Sequence, residues 1–573
     1  MKYLKVLPKT ILSIFLILAV FTPALLIQAQ ESAKNAAPSL AAQADARLSR
    51  WFKADQPGAV VLLVQDGKVL FKKGYGLANV ELGVTMQPDM LFRIGAVTQQ
   101  FTAAAVMLLA EEGKVDLAAP IARYLEKLPR AWRSVTVEQL LNHTSGIPDF
   151  RVSKNFWEHR LERITPNQLL ELYVVKMAMD FEPGTQHRYT YTGYILLGMI
   201  IEKVTGQSYA RFLQKRLFEP LGLKHTHYDE ETQVIPGLVS GYYSTNPKPA
   251  PFWSVTQKYS AVGLVSNAED LAQWTLALHG GKVVNSKSLA RMLRPTRLAN
   301  GKEEPYGFGL AFRQSQGDRL VGQAGEVYGF DCFVEADPAI KAVAVILNNT
   351  FDPKCDRDYF SRFLLALAAG KPLPEIKPVA IESSKLKRLT GWYKLGMEFR
   401  IISFDGKNLF SRRRPGAGKY MLIPLSETEF SFDDSDHRLR FELAGDKVIG
   451  LYRRFAVDVP EQPIEKRMEP LEDKDPKVVN MVQQGFRDLV AGTLKPDLFT
   501  PDLETNNFSD RVNEAAAFVK ELGPLTGIVL YAREERSGGY KYVYRVSFGE
   551  KSIVLPLWIA KDGRVGSVSL WEE

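Results

Sequence analysis

The chain has 573 residues, of which 46% are hydrophobic and 24% are charged. These values are ordinary for globular proteins and exclude a disordered or fibrous chain, and the length is enough for about three or four domains. The formal net charge is +8, and it falls to +5 without the three lysines of the N-terminal segment. Basic residues are spread over the sequence apart from the short run 412–414, so we predict no nucleic-acid partner.

Residues 1–29 have the parts of a secretory signal peptide. Lys2, Lys5 and Lys9 form a basic start, residues 11–27 are an apolar run, and Ala29 is a small residue before the expected cleavage site. The alternative is an uncleaved membrane anchor, which the short, proline-broken run disfavours. We therefore predict an exported protein, periplasmic or extracellular, that touches a membrane only if this segment is retained.

The first folded segment is predicted over residues 39–372. It opens with an amphipathic helix at residues 40–52, followed by a hairpin with strands at 59–64 and 69–73. Two further strands are predicted near its far end, at 329–335 and 342–347. Helices at 101–112 and 268–278 lie between the two strand groups, and Ser266 with Glu269 is predicted to cap the second. This order predicts an α+β fold in which both ends of the segment build one antiparallel sheet around a helical insert.

Two smaller domains are predicted after a linker at residues 370–374. Residues 380–458 have short alternating strands separated by turns, which is typical of a small all-β barrel or sandwich. Residues 477–573 have two helical patterns, at 478–490 and 511–522, followed by four strands between 527 and 571. This order predicts a small α+β domain, of a cystatin-like or nuclear-transport-factor-like kind.

Several motifs carry a resemblance to a known family. Residues 75–79 read YGLAN, residues 140–150 read LLNHTSGIPDF, residues 181–185 read FEPGT and residues 263–266 read GLVS. Together they resemble the serine β-lactamase-related and penicillin-binding protein superfamily over residues 40–365. The match is nearest to the branch of class C β-lactamases, D-Ala-D-Ala carboxypeptidases and esterases. In addition, the run 391–393, GWY, resembles the start of the lipocalin-like β-domain that is often appended to these hydrolases.

The positions that carry the family's chemistry are altered in all three of its motifs. In the family, S-x-x-K supplies a serine nucleophile and a lysine one helical turn later; here Ala96 and Gln99 stand in those places. The family's Tyr-x-Asn is matched by Tyr189 and Tyr191, so that only the first tyrosine is retained. The family's Lys-x-Gly or His-x-Gly is matched by Gln323 and the following Ala-Gly. The resemblance therefore implies a catalytically degenerate member, with these five residues at the catalytic positions.

The resemblance also implies ligand contacts at Asn142, Gly325 and Tyr328. It calls for no cofactor and no metal. His225 and His227 are spaced as on one face of a strand, but no carboxylate-rich motif accompanies them. Members of the family have a similar sequence at this place and bind no metal there.

The chain has two cysteines, Cys332 and Cys355. An exported protein meets oxidising conditions, so a disulfide between them is one possibility. The sequence alone does not give the distance between their Cα atoms, so two unpaired thiols remain the alternative.

Three functions remain open at this point. The first is a pseudoenzyme, a binding or scaffolding protein of the cell envelope that grips a peptide, an acyl ligand or a protein partner in the former catalytic cleft. The second is a weakly active esterase or peptidase on acyl or D-amino-acid peptide substrates. The third places the function in the two C-terminal domains, with the large domain as their support.

Overall fold

The computed structural model describes residues 38–572 except 154, 244–247, 352–356, 374–375, 396–397, 413–418, 433–434, 436, 455–461, 474–475, 502–507, 537 and 550. The predicted signal peptide lies outside these residues. The chain divides into two compact units after Leu373. Within the described part of the chain, no helix has the length and apolar character needed to cross a membrane.

The strands of the first unit are β1 (Ala59–Gln65), β2 (Lys68–Tyr75), β3 (Leu77–Asn79), β4 (Val84–Thr85), β5 (Phe92–Arg93), β6 (His227–Tyr228), β7 (Tyr242–Tyr243), β8 (Lys248–Pro249), β9 (Leu264–Ser266), β10 (Thr296–Arg297), β11 (Glu303–Glu304), β12 (Ala311–Ser315), β13 (Asp318–Val327), β14 (Phe330–Asp337), β15 (Ala342–Asn348) and β16 (Thr350–Phe351).

Six of these strands form one sheet with the order β12-β13-β14-β15-β1-β2. The N-terminal hairpin β1-β2 joins four strands from the other end of the unit through the antiparallel pair β1-β15.

The helices of this unit lie between β2 and β12, apart from one at each end. They are α1 (Leu40–Leu48), α2 (Thr98–Glu111), α3 (Val137–Leu141), α4 (Phe156–His159), α5 (Pro166–Tyr173), α6 (Tyr191–Thr205), α7 (Tyr209–Leu213), α8 (Glu219–Leu221), α9 (Val255–Val262), α10 (Ala268–His279), α11 (Ser286–Met292) and α12 (Arg357–Ala368). Short 3₁₀ turns precede some of them, at Gly95–Val97 and Phe150–Val152 among others. The predicted α+β class, with one sheet from both ends and a helical insert, is confirmed.

Alternation along β1 explains why both faces of the sheet are covered. Val60, Leu62 and Val64 belong to the large core that includes the helical insert. Ala59, Val61 and Leu63 belong to a second core with residues of α1 and α12. Because successive side chains of a strand point to opposite faces, an all-apolar strand such as β1 must be buried on both sides.

The predicted cap of α10 is wrong. Ser266 ends strand β9, and the N-cap is the next residue, Asn267, whose side chain accepts a hydrogen bond from the backbone N–H of Asp270 at 2.9 Å. Serine and asparagine both favour this position. Strand pairing of Ser266 with Phe92 decides between them, because it keeps Ser266 in the sheet.

The second unit contains a closed barrel of eight antiparallel strands. The first and last strands pair at Tyr393 with Arg467, which closes the circle. Buried residues of alternating positions, Ile402, Leu409 and Leu439 among them, fill its interior. The strands are β17 (Gly391–Leu395), β18 (Glu398–Phe404), β19 (Leu409–Arg412), β20 (Tyr420–Pro424), β21 (Glu429–Phe432), β22 (Arg438–Ala444), β23 (Lys447–Arg454) and β24 (Gln462–Arg467), and the short helix α13 (Ser383–Lys387) precedes them.

The rest of this unit has two helices followed by an antiparallel sheet, as the sequence predicts. The helices are α14 (Pro476–Ala491) and α15 (Phe508–Leu522), and the strands are β25 (Gly527–Arg536), β26 (Gly539–Phe548), β27 (Lys551–Ala560), β28 (Val565–Val568) and β29 (Trp571–Glu572). Both helices bury apolar residues against the sheet in one core. The specific likeness to cystatin or nuclear-transport-factor folds stays a prediction.

One buried amide ties together three distant parts of the first unit. The Oδ1 atom of Asn349 accepts a hydrogen bond from the backbone N–H of Gly58 at 2.7 Å. Its Nδ2 atom donates to the carbonyl oxygens of Leu77 and Ser240, each at 3.0 Å. Asn349 is fully buried. The side chain therefore supplies hydrogen-bond partners to backbone groups of three separate chain segments in a buried position.

We expect Asn349→Ala to lower the free energy of unfolding of this unit by about 3 kcal/mol or more, because it leaves several buried backbone groups unsatisfied. The measurement is chemical denaturation followed by tryptophan fluorescence. The control is Asn300→Ala at an exposed turn, where we expect a loss below about 1 kcal/mol. Equal losses in the two variants would show that the buried network contributes nothing special.

Candidate functional site

Ala96, at the position where the resemblance implies a nucleophile, lies on a tight turn between a strand and a helix. Strand β5 pairs with β9, which holds Arg93 opposite Val265. Gly95 then has a φ of 53° and turns the chain into the 3₁₀ turn that contains Ala96. Helix α2 continues directly from this turn, with Gln99 in its first turn and fully buried. Ala96 and Gln99 thus occupy the neighbouring positions that the resemblance implies.

Strand β13 forms the facing wall of the site. It pairs with β12 only through residues 318–322, so its edge from Gln323 onward is available to the turn at Gly95. The two backbones touch: a Cβ atom on Gly325 would lie 1.9 Å from the carbonyl oxygen of Ile94. A Cβ on Gly95 would lie 2.8 Å from the backbone nitrogen of Glu326. Gly325 therefore acts through its missing side chain, as a point of close backbone approach.

Two tyrosines reach across this site from the start of α6. The Nε2 atom of Gln323 donates a hydrogen bond to the Oη atom of Tyr189 at 3.3 Å. The Oη atom of Tyr191 donates to the backbone carbonyl of Glu326 at 3.1 Å. Only 4% of Tyr191 is exposed. The larger ring that replaces the family's asparagine therefore spans the distance to β13.

Tyr191 is itself covered by a guanidinium group. The Cζ atom of Arg151 lies 3.6 Å from the centroid of the Tyr191 ring, which is cation–π geometry. Asp149 holds Arg151 with two side-chain hydrogen bonds of 2.8 and 2.9 Å. The same carboxylate accepts the backbone N–H of Tyr191 at 2.8 Å, at the N-terminus of helix α6 where negative charge is favoured. Asp149 thus positions the ring and its cover together.

A buried aromatic group lies behind Gln99. The backbone N–H of Thr190 donates to the Nδ1 atom of His143 at 3.3 Å, which leaves Nε2 to carry the proton. This Nε2 atom is 3.2 Å from the Oη atom of Tyr306, which in turn donates to the Oε1 atom of Gln99 at 3.5 Å. The Nε2 atom of Gln99 has no hydrogen-bond partner among the described residues. An amide therefore ends a chain of neutral groups.

The phenols and the imidazole of this site are held in their neutral forms. Burial lowers the pKa of His143 well below its usual value, with a smaller contribution from His187. Burial raises the pKa of Tyr189 well above its usual value. It also raises the pKa of Tyr191 to about 12, although the Arg151 charge opposes this shift. At neutral pH the site thus contains phenols and an imidazole without charge.

The other residues implied by the resemblance have different roles. Asn142 is buried at the C-terminal end of α3, and its Oδ1 atom accepts a hydrogen bond from the Thr144 hydroxyl at 2.7 Å. Tyr328 follows the edge of β13 and stacks on Trp157, with ring centroids 5.5 Å apart. Trp157 is 52% exposed, so Tyr328 packs against a ring at the surface, whereas Asn142 is buried.

Cys332 lies close to the turn but is not a reactive group. It is fully buried, and its Sγ atom lies 3.5 Å from the carbonyl oxygen of Arg93. Burial raises the pKa of its thiol, so the nucleophilic thiolate is disfavoured. Cys355 lies outside the described residues, and the pairing of the two cysteines stays a prediction.

A buried ion cluster lies beneath strand β5. Asp229 accepts a hydrogen bond from the Nε atom of Arg93 at 2.7 Å, and its Oδ2 atom lies 3.6 Å from the Nζ atom of Lys258. Lys258 is 4% exposed. Burial lowers its pKa to about 8, against the opposing attraction of Asp229. The cluster anchors the strand that leads into the turn at Gly95.

Among the described residues, no group of three or more His, Cys, Asp or Glu side chains is arranged to hold a metal ion.

The lowered pKa of Lys258 predicts a pH-dependent stability. Between pH 8 and the normal lysine range the unfolded chain binds more protons than the folded protein, so stability rises with pH in this window. Lys258→Met removes this effect while Arg93 still neutralises Asp229. The free energy of unfolding of the wild type should therefore rise with pH, while that of the variant lacks this rise. We expect the variant to become less stable relative to the wild type by about 2 kcal/mol between pH 7 and 9.5. Denaturation at both pH values measures it.

The control for this prediction is Lys282→Met, at an exposed turn after helix α10. Its stability difference from the wild type should stay constant over the same pH range. A constant difference for Lys258→Met as well would contradict the assigned pKa.

Comparison with known proteins agrees with the fold. The profile of the Beta-lactamase family matches residues 39–368. The chain belongs to this family.

Individual proteins give the same relationship. The chain is 27% identical over 430 residues to penicillin-binding protein 4* of Bacillus subtilis, an alignment that covers 68% of this chain and 91% of that protein. It is 26% identical over 307 residues to Protein flp of Staphylococcus aureus strain MW2, covering 52% of this chain and 60% of that protein. The solved structure of the octameric penicillin-binding protein homologue from Pyrococcus abyssi superposes with a TM-score of 0.52 at 25% identity, covering 72% of this chain and 96% of that one.

Several residues that shape the site were not singled out by the sequence. Arg151 follows the LLNHTSGIPDF run by one position, so its proximity to that run is the available signal. Tyr306 has no comparable signal, because it lies 207 residues from Gln99 on a connection between short strands. His143 lies inside the run, and its two ring nitrogens both contact buried partners.

Proposed function

We propose that the β-lactamase-like domain is a pseudoenzyme that binds or scaffolds without performing acyl transfer. The proposal rests on Ala96, which lies on the turn beside β13. It has a methyl group at the position where the family's chemistry needs a nucleophilic oxygen. Covalent catalysis requires a nucleophile and a base within hydrogen-bond reach of it. Neither group is present at the positions of Ala96, Gln99 and Gln323.

Among the described side chains near Ala96, none is placed to act as the nucleophile. The Oγ1 atom of Thr98 accepts a hydrogen bond from the backbone N–H of Leu264 at 3.2 Å, which directs it away from the strand β13. The phenol of Tyr189 is held neutral by burial and lies against the Gln323 amide. His143 also stays neutral, but both of its nitrogens are engaged in the buried group. These contacts support a site that has lost its base along with its nucleophile.

The proposed setting is the cell envelope. Residues 1–29 read as an export signal, and one relative is a penicillin-binding protein by name. A periplasmic or extracellular protein of this fold would meet peptides, acyl compounds and other envelope proteins. We propose that one of these is its partner, held at the exposed side chains of Arg151 and Trp157 and the neighbouring Tyr328, since the buried Tyr191 bridges the interior of the cleft.

A covalent probe tests the loss of catalysis directly. We expect the purified full chain to show no labelling by a fluorescent penicillin or a fluorophosphonate, because no atom at the site forms an acyl or phosphonyl bond. Gel fluorescence and intact mass measure it, with an active serine hydrolase as the positive control. Stoichiometric labelling that Thr98→Val or Tyr189→Phe abolishes would instead establish the weakly active hydrolase.

Restoring the first motif tests whether the bridging tyrosine matters. We expect Ala96→Ser with Gln99→Lys to raise hydrolysis of a chromogenic ester or lactam by less than about tenfold, since Tyr191 still spans the site. Adding Tyr191→Asn and Gln323→His should raise it by a further factor of about 100 or more, in line with the value of a positioned base. Far-UV circular dichroism verifies that each variant folds. Full activity from the first pair alone would show that Tyr191 does not obstruct the cleft.

A further inference from the structure

The last part of the chain encloses a large apolar cavity that is separate from the catalytic fold. It lies between helices α14 and α15 and the strands β27 and β28, and its volume is about 450 Å³. Small-molecule sites in proteins range from roughly 300 to 1,000 Å³. The cavity is thus of the size of a ligand site and is much larger than a packing defect.

The walls of the cavity are almost entirely hydrocarbon. Val482 and Phe486 of α14, Val512 and Phe518 of α15, and Leu555 and Leu557 of β27 contribute to them. Walls of this kind favour apolar molecules over water, because water finds few hydrogen-bond partners on them. The ligand that such walls favour is a hydrocarbon.

Polar residues are confined to a few positions of the lining. Arg511 and Glu514 lie one helical turn apart on α15 and are exposed, so they mark the side of the cavity that opens to solvent. Ser569 is the third polar residue of the lining. A guanidinium group and a hydroxyl both donate hydrogen bonds to a carboxylate, which makes Arg511 and Ser569 the two donors of the lining side chains.

We propose that this cavity binds one fatty acid, with the hydrocarbon chain between the two helices and the sheet and the carboxylate at Arg511. The volume is enough for the hydrocarbon chain of one fatty acid, because an apolar cavity of about 150 Å³ already holds one benzene ring. The open side argues for an amphiphile, because the polar end of the ligand remains in contact with water. This inference does not depend on the proposed loss of catalysis, since it concerns the second unit of the chain.

The first test is binding by the full chain after bound lipid has been removed on a hydrophobic exchange resin. Calorimetric titration with octanoate, decanoate and dodecanoate should give one site per chain. Affinity should increase about fourfold for each added CH₂ group until the cavity is filled, the factor expected for burial of one methylene. The absence of saturable one-to-one binding to all three acids would overturn the proposal.

Two substitutions fill the cavity at places where the backbone has room. A Cβ atom on Gly485 of α14 would have no heavy atom within 4 Å, so Gly485→Leu extends into the cavity without a backbone clash. Ala515→Phe does the same from α15. We expect each to weaken dodecanoate binding at least tenfold with no loss of thermal stability. The matched control is Ala517→Phe on the exposed side of the same helix, which should bind like the wild type.

The head group is tested by comparing the acid with an alcohol of the same chain length. Arg511→Gln should weaken dodecanoate binding about tenfold and change dodecanol binding less than twofold. Unchanged dodecanoate affinity in both cavity-filling variants would place the ligand elsewhere and overturn the site. Equal effects of Arg511→Gln on the acid and the alcohol would overturn the assignment of the carboxylate.

Discussion

The close approach of the backbones at Gly95 and Gly325 sets the geometry of the candidate site. A side chain on either glycine would have to displace main-chain atoms, with the Cβ of Gly325 placed 1.9 Å from the carbonyl oxygen of Ile94. The start of helix α2 and the edge of β13 are therefore held close together. The turn that carries Ala96 depends on this backbone contact and not on the side chain of Ala96.

Given this separation, the residues at the positions that the resemblance assigns to catalysis bind one another. Gln323 donates to Tyr189, Tyr191 reaches the carbonyl of Glu326, and Arg151 stacks on the Tyr191 ring. Each hydrogen bond contributes only about 1 kcal/mol net, but a buried phenol or amide without a partner would cost more. These contacts bridge the site, which supports the proposed loss of acyl transfer.

The second unit has its own cores and its own candidate ligand site. The barrel and the last sheet share a small cluster in which Trp392 and Ile401 meet Val543 and Val554. Trp392 stacks on Tyr531 with centroids 4.5 Å apart, so this ring packs between the two parts and is 2% exposed. The cavity between α14 and α15 lies on other residues of the same sheet. If both proposals hold, the chain combines a silent hydrolase fold with a lipid-binding domain.

The sequence by itself determined the main elements and the residue types at the positions that the resemblance assigns to catalysis. The apolar run of β1, the turn at Asp66-Gly67 and the spacing of Ala96 and Gln99 are local features, because periodicity, positive φ and side-chain chemistry are properties of a few adjacent residues.

Only the tertiary structure decided which distant groups meet. The reach of Tyr191 to β13, the cover by Arg151 and the chain from His143 through Tyr306 to Gln99 depend on strand register and on the close packing of glycine backbones. The cap of α10 shows the same limit at short range: Ser266 and Asn267 are both suitable, and pairing with β5 assigns the first of them to the sheet. Contacts between residues far apart in the chain are set by the whole packed core, and no local pattern encodes them.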